Sequence, residues 1–303
     1  MKEGAGTAKP LLGRADQLEA LAPPHRSQWK QTLVRFSRNV SGMVGFVLVL
    51  IVVVSSLAAP LLTQADPNDT DVRNAYAPSS RDHPFGTDNL GRDVFSRVLY
   101  GARVSVVIGF AVVAITTVTG ATIGFMAGYY SRLDAPLMRL VDMLNAIPAI
   151  LLALAIVAIL GPQLVNIVIA VSVVLTTVTA RVVRSVVLQL KGMEFVQAAR
   201  AIGAGDGRII VRHLLPNTLP PLIVQQSLVL ALAILAEAGL TFLGVAGSVE
   251  TPTLGYLVSE SRNYLQAHPM LSVFPGAAIF LFVLGANLLG DGLRDVLDPR
   301  MRR

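Results

Sequence analysis

The side chains able to do chemistry are few and stand far apart. His25, His83, His213 and His268 are the only histidines in 303 residues, and no two have metal-ligand spacing. Cysteine is absent, which excludes disulfides, thiolate metal sites, iron–sulfur clusters and a cysteine nucleophile. No G-x-x-x-x-G-K-[ST] run occurs, so the chain does not hydrolyse nucleotide through a phosphate loop. The glycine-rich run Gly203-Ala204-Gly205-Asp206-Gly207 follows no strand and reads as a flexible turn. No nucleophile, base and acid fall together. The expectation is a chain without catalytic residues, cofactor or metal.

One carboxylate stands out. Glu237 lies well inside a long apolar run, where a charge costs ~2.5–3.5 kcal/mol on insertion scales and needs a partner or a function. Two readings stay open for it: helix packing or an intersubunit hydrogen bond, and contact with a transported substrate. Arg139 and Asp142 are one turn apart at the end of another apolar run and are expected to reach the interface or each other. A lone glutamate near a helix end makes a poor proton relay, so the energy source for any transport is expected on other subunits.

The elements that hold these residues are apolar helices. The chain is 53% hydrophobic and 15% charged, against about 25% charged in soluble domains. Six runs approach the roughly 20 residues needed to cross a bilayer, at 44–62, 104–127, 137–160, 164–180, 222–243 and 271–289. The fold class expected is an all-α polytopic membrane protein with six transmembrane helices. Of the 25 Lys and Arg residues, a cytoplasmic N-terminus leaves only Arg73, Arg81, Arg92, Arg97, Arg103 and Arg262 outside. Both termini are therefore expected in the cytoplasm, and the net charge of +6 follows from loop bias without nucleic acid as a partner. The division expected is a cytoplasmic tail (1–43), a first span with an external segment (44–102) and a core of five spans (103–303). The first span reads as a retained anchor, since the basic tail before it is long and Pro60 follows Ser56-Leu57-Ala58.

Within the core, residues 185–217 form the longest polar loop between spans. Gln197, Ala198, Ala199, Ala201 and Ile202 favour a helix, and Gly203 is a natural stop. A second short helix is expected from Asp206, as cap, to Leu215, with Pro216 as terminator. Ala199 shares a face with Gly203 one turn on. Such a surface is either an ordinary amphipathic connector or a helix with small side chains that lowers its backbone into a partner's groove.

The pattern Gln197-Ala198-Ala199, then Gly203, then Leu215-Pro216 resembles the "EAA" loop of binding-protein-dependent ABC importer permeases. Gln197 stands where that family usually has Glu, and His213 where the generic pattern has Ile. Three further stretches are similar to the C-type permeases of the dipeptide/oligopeptide (peptide/nickel) group. They are His83 to Arg97 with Tyr100-Gly101-Ala102-Arg103-Val104-Ser105, then Glu237 to Gly244, and Asn287 to Arg300. In the first, Thr87 or Asp88 is read as the cap of a short helix with Leu90, Val94 and Val98 on one side. Leu254 replaces a customary Trp in the loop from Thr251 to Gly255.

The resemblance spans about residues 30–303. It implies a type I importer permease fold in the cytoplasmic membrane of a prokaryote, surrounded by membrane lipid. It also implies a second homologous permease, two ATP-binding subunits or one fused ATPase, and an external solute-binding protein. The loop would be the coupling helix gripped by the ATPase, transport would proceed by alternating access, and the substrate would be a di- or oligopeptide. Nickel complexes, glutathione or sugars are the alternatives implied, and a self-contained carrier is the rival outside the family.

Overall fold

A computed structural model describes residues 28–245 and 251–297. Ten helices carry the fold: α1 (Gln28–Arg38), α2 (Val40–Leu57), α3 (Val94–Tyr129), α4 (Ser131–Asn145), α5 (Ala149–Leu160), α6 (Leu164–Lys191), α7 (Glu194–Ala201), α8 (Leu215–Phe242), α9 (Leu254–Ser261) and α10 (Met270–Leu297). Among the described residues there is no strand. The tail residues 1–27 and the basic end 298–303 lie outside the described residues, as do the charges counted there for orientation.

Five helical stretches are long and apolar enough to cross a membrane: α2, α3, α6, the continuous run Asp206–Phe242 that contains α8, and α10. The third expected span departs from expectation. The run 137–160 is split between α4 and α5, which meet at 89°. Pro148 explains the break, because the residue before proline is pushed out of the helical region. Pro148 itself adopts φ −52° and ψ 132° ahead of α5, and the Asn145 side chain donates to the Val141 carbonyl at 2.8 Å as α4 ends. With 12 residues, α5 is about 18 Å long, too short to cross the core by itself.

Close backbone approach packs the long helices. Gly120, Gly124 and Gly128 put one edge of α3 against Thr179, Val183 and Val187 of α6; a Cβ at Gly124 would stand 2.6 Å from Val183 Cβ. Gly42 and Gly45 of α2 meet Gly285 and Gly292 of α10 in the same way. Lipid tails offer no hydrophobic drive for helices to associate, so small residues that maximise contact are what this environment selects.

At 36 residues α3 is about 54 Å long, nearly twice the hydrocarbon core, and it begins earlier than expected. Its cap is Asp93, which accepts from Ser96 N at 2.7 Å, rather than Thr87 or Asp88. Residues 86–93 are a turn closed by a Thr87–Asp93 bridge, so Leu90 lies before the helix, whereas Val94 and Val98 lie on it and are buried. The helix runs straight through position 103.

Candidate functional site

The loop after α6 folds back under one end of the bundle. α7 ends in a Schellman turn, with Ala204 N donating to Ala199 O at 3.0 Å and Gly203 at φ +81°. Gly203 therefore stops the helix as its sequence position suggests. A Cβ at this position would meet nothing within 4 Å, so the turn is open rather than tightly packed among the described residues.

Ala199 is buried against Val196, Val187, Ile209 and Leu214, whereas Gln197, Ala198 and Ala201 face outward. Phe195, Ala198, Ile202, Gly203 and Ala204 then line a concavity of about 510 Å³, with Arg208 and Arg212 at its edge. Ile202 is 85% exposed at this tip, an unusual position for a large apolar side chain. Gln197 donates from Nε2 to the Gly192 carbonyl at 3.0 Å, a bond that an ionised Glu at this position would not make.

The second half of the loop corrects two expectations. Asp206 opens a helical turn but makes no cap hydrogen bond; its Oδ1 accepts from the Tyr129 hydroxyl at 2.6 Å. Pro216 does not end that helix. Residues Ile210–Leu214 form a π-helical turn that leads directly into α8, and Pro216 occupies the first turn of α8 beside Leu215. Proline is tolerated there because wider π turns and side chains take over lost backbone bonds. Asn217 Nδ2 donates to His213 O at 2.6 Å, and Thr218 Oγ1 to Leu214 O at 2.9 Å.

Tyr129, at the end of α3, was not singled out by sequence. Besides Asp206, its hydroxyl accepts from Arg200 Nη2 at 3.4 Å, and its carbonyl accepts from Lys191 Nζ at 2.6 Å. One residue thus ties α3 to the end of α6, to α7 and to the turn at Asp206. Only the adjacent aromatic pair Tyr129-Tyr130 at a span end hints at it in the sequence.

Glu237 is fully buried between helices. Ser105 of α3 donates to Oε2 at 3.0 Å, Thr241 donates to Oε1 at 3.3 Å, and Thr253 adds a side-chain hydrogen bond. Ser105 Oγ also accepts from Leu254 N at 3.2 Å, so this cluster joins α3, α8 and the start of α9. Asp142 does not meet Arg139; it pairs with Arg181 of α6 at 2.7 Å.

At the end of the bundle opposite the loop, Asp88 and Glu260 hold two arginines. Arg92 contacts Asp88 and Glu260 at 2.7 Å each, and Arg97 contacts them at 2.6 and 2.8 Å. Arg92 has no exposed surface. Burial works against its charged form, but hydrogen bonding and attraction from Glu260 and Asp88 outweigh this and hold its pKa above the ordinary value. The i,i+4 spacing of Asp88 and Arg92 was the available sequence signal; Glu260 arrives from far along the chain.

Among the described residues no group of three or more His, Cys, Asp or Glu could hold a metal. The described residues thus hold one carboxylate fully buried between helices, a loop tip that is apolar and exposed, and a charged clamp at the other end. Residues 120–303 match the family described as the binding-protein-dependent transport system inner membrane component. The chain belongs to this family.

Residues 27–78 also match the N-terminal transmembrane domain of oligopeptide transport permease C. The dipeptide transport system permease protein DppC of Alkalihalophilus pseudofirmus is 43% identical over 95% of this chain and 93% of its own length. A putative peptide transport system permease protein of Brucella abortus is 47% identical over 89% of this chain and 92% of its own. The glutathione transport system permease protein GsiD of Escherichia coli is 39% identical over 99% of this chain and 97% of its own. This inner membrane component is thus a multi-pass permease of the prokaryotic cytoplasmic membrane, with the type I importer fold.

Proposed function

We propose that this permease forms one half of the pore of an ATP-driven importer for di- and oligopeptides. A second homologous permease completes the pore, two ATP-binding subunits or one fused ATPase drive it, and an external solute-binding protein delivers substrate. The loop end is cytoplasmic in this reading, with both chain termini on the same side, and the end carrying the Asp88–Glu260 clamp is external.

The observation that carries the proposal is the open concavity under α7. Ile202, Phe195 and the small residues Ala198 and Gly203 are exposed there among the described residues. An apolar tip of this kind, rimmed by Arg208 and Arg212, has the character of a partner-docking surface. Tyr129 and Asp206 fix it to α3, so force applied at the tip reaches the bundle. Gln197, Ala198, Ala199, Ala201, Gly203, Asp206, Leu215 and Pro216 together form this coupling element, Ala199 by packing inward. Glu237 acts as packing glue in the membrane. The relatives named for dipeptides and peptides support the substrate class, and those named for glutathione, itself a tripeptide, give the second substrate reading.

The test is reconstitution of the whole assembly in proteoliposomes with its binding protein. ATP-dependent accumulation of a radiolabelled dipeptide is expected. Solute transport by the purified chain alone, without any ATPase, would sink the reading.

A further inference from the structure

A second concavity, about 590 Å³, opens on α3 between Tyr100 and Ala111, toward the clamp end of the bundle. Val104, Val107 and Ile108 of α3 and Val165 of α6 make it apolar, and Tyr100 and Arg103 stand at its rim. Its volume falls within the roughly 300–1,000 Å³ typical of small-molecule sites.

Arg103 is the unusual member. Arg92 and Arg97, on the same stretch of chain, are neutralised by Asp88 and Glu260. Arg103 is exposed and takes part in no ion pair among the described residues. It is also the last charge before the apolar length of α3, since no Lys, Arg, Asp or Glu follows until Arg132. A bare guanidinium at that depth is poorly placed against lipid tails. It suits water and an anion, and its planar fork matches a carboxylate in two parallel hydrogen bonds. The exposed face continues along α3 through Val107, Phe110, Val118 and Thr122 to a further concavity of about 390 Å³ beside Met126 and Ile210, near the loop. The two hollows therefore lie on one helix face at its two ends.

We infer that the outer hollow is the mouth of the substrate path and that Arg103 holds a carboxylate of the entering peptide, with Tyr100 beside it. This rests on the peptide-importer reading above. Apolar walls then leave side chains of different size unselected, while the one charge fixes the peptide by a group common to all of them.

The absence of cysteine makes the test clean for this chain. In the full importer, Arg103→Cys is expected to react with a membrane-impermeant thiol reagent from outside and to lower dialanine uptake at least tenfold at limiting substrate. A cationic methanethiosulfonate should restore most uptake, an anionic one of similar size should not, and Arg103→Lys should keep most of it. Failure of the cysteine to react in the assembled importer, or failure of Arg103→Cys to assemble, would assign Arg103 to a subunit contact and overturn the inference. Unchanged uptake, or equal rescue by both reagents, would overturn it as well. If the wild-type importer takes up no dialanine, the functional reading falls and the carboxylate assignment with it. Normal wild-type uptake beside an unimpaired Arg103→Cys removes only the assignment.

Discussion

Gly203 and Glu237 differ in what surrounds them, and that difference decides how each responds to change. At Gly203 the backbone sits at φ +81° and a Cβ would meet only open space. Substituting Asp costs about 1 kcal/mol of backbone strain, too little to unfold the subunit, but places a charge at the docking tip. Gly203→Asp should leave the complex assembled while separating ATP hydrolysis from uptake; wild-type coupling in reconstituted vesicles would refute the role of the tip. Glu237 has hydroxyl partners that can rotate to serve an amide, so Glu237→Gln should retain transport. Glu237→Ala should cost about 1–3 kcal/mol by leaving the Ser105 hydroxyl without its acceptor, read as a lower melting temperature of the purified complex; Thr241 keeps its bonds to the carbonyls of residues 237 and 238. A large loss of uptake in Glu237→Gln with normal assembly would return it to the substrate path. Gly203 was legible because a helix stop is a local property of the chain. Asp206 was misread because its partner, Tyr129, lies 77 residues away and no local pattern announces it.

Among the elements, apolar length located the spans well, and composition alone set the fold class. What it could not supply was direction. The 89° turn between α4 and α5 depends on Pro148 in a run that is otherwise uniformly apolar, and hydropathy averages over that residue. Helix pairing was equally hidden, because glycines in a span read as weak helix formers until the facing helix is known. Packing now separates them. A Cβ on Gly45 would stand 2.3 Å from Leu289 N, backbone that cannot step aside, so Gly45→Ala should force α2 from α10 and cost about 1–3 kcal/mol. Gly276, within α10, has nothing within 4 Å of its built Cβ, and Gly276→Ala should be neutral or stabilising by up to about 1 kcal/mol. Thermal unfolding of the two variants in one detergent compares them, and equal melting temperatures would contradict the packing account.

Across the whole molecule, two rods run from the loop to the clamp: α3, and the continuous helix from Asp206 to Phe242. At one end Tyr129 and Asp206 join them by a single hydrogen bond of 2.6 Å. At the other, Ser105 and Glu237 join them again, and the Asp88–Arg97–Glu260 clamp fastens the start of α3 to α9. A helix pair bound at both ends tilts as one body when its tip is pushed, which is what alternating access requires of a subunit without an engine. The loop-end joint is the simpler to cut, since removing one hydroxyl removes it. Tyr129→Phe keeps the ring against Lys191 and Arg200 and removes only the hydroxyl, a loss of about 1.5–3 kcal/mol for a bond to a carboxylate, or roughly tenfold and more in the equilibrium between joined and parted states. Stability should fall little, because the ring and the carbonyl bond to Lys191 remain. ATP hydrolysis should continue while peptide accumulated per ATP consumed drops severalfold, since the tip can then move without carrying α3. Measured side by side in proteoliposomes, an unchanged ratio of uptake to hydrolysis would mean that force enters the bundle by another route.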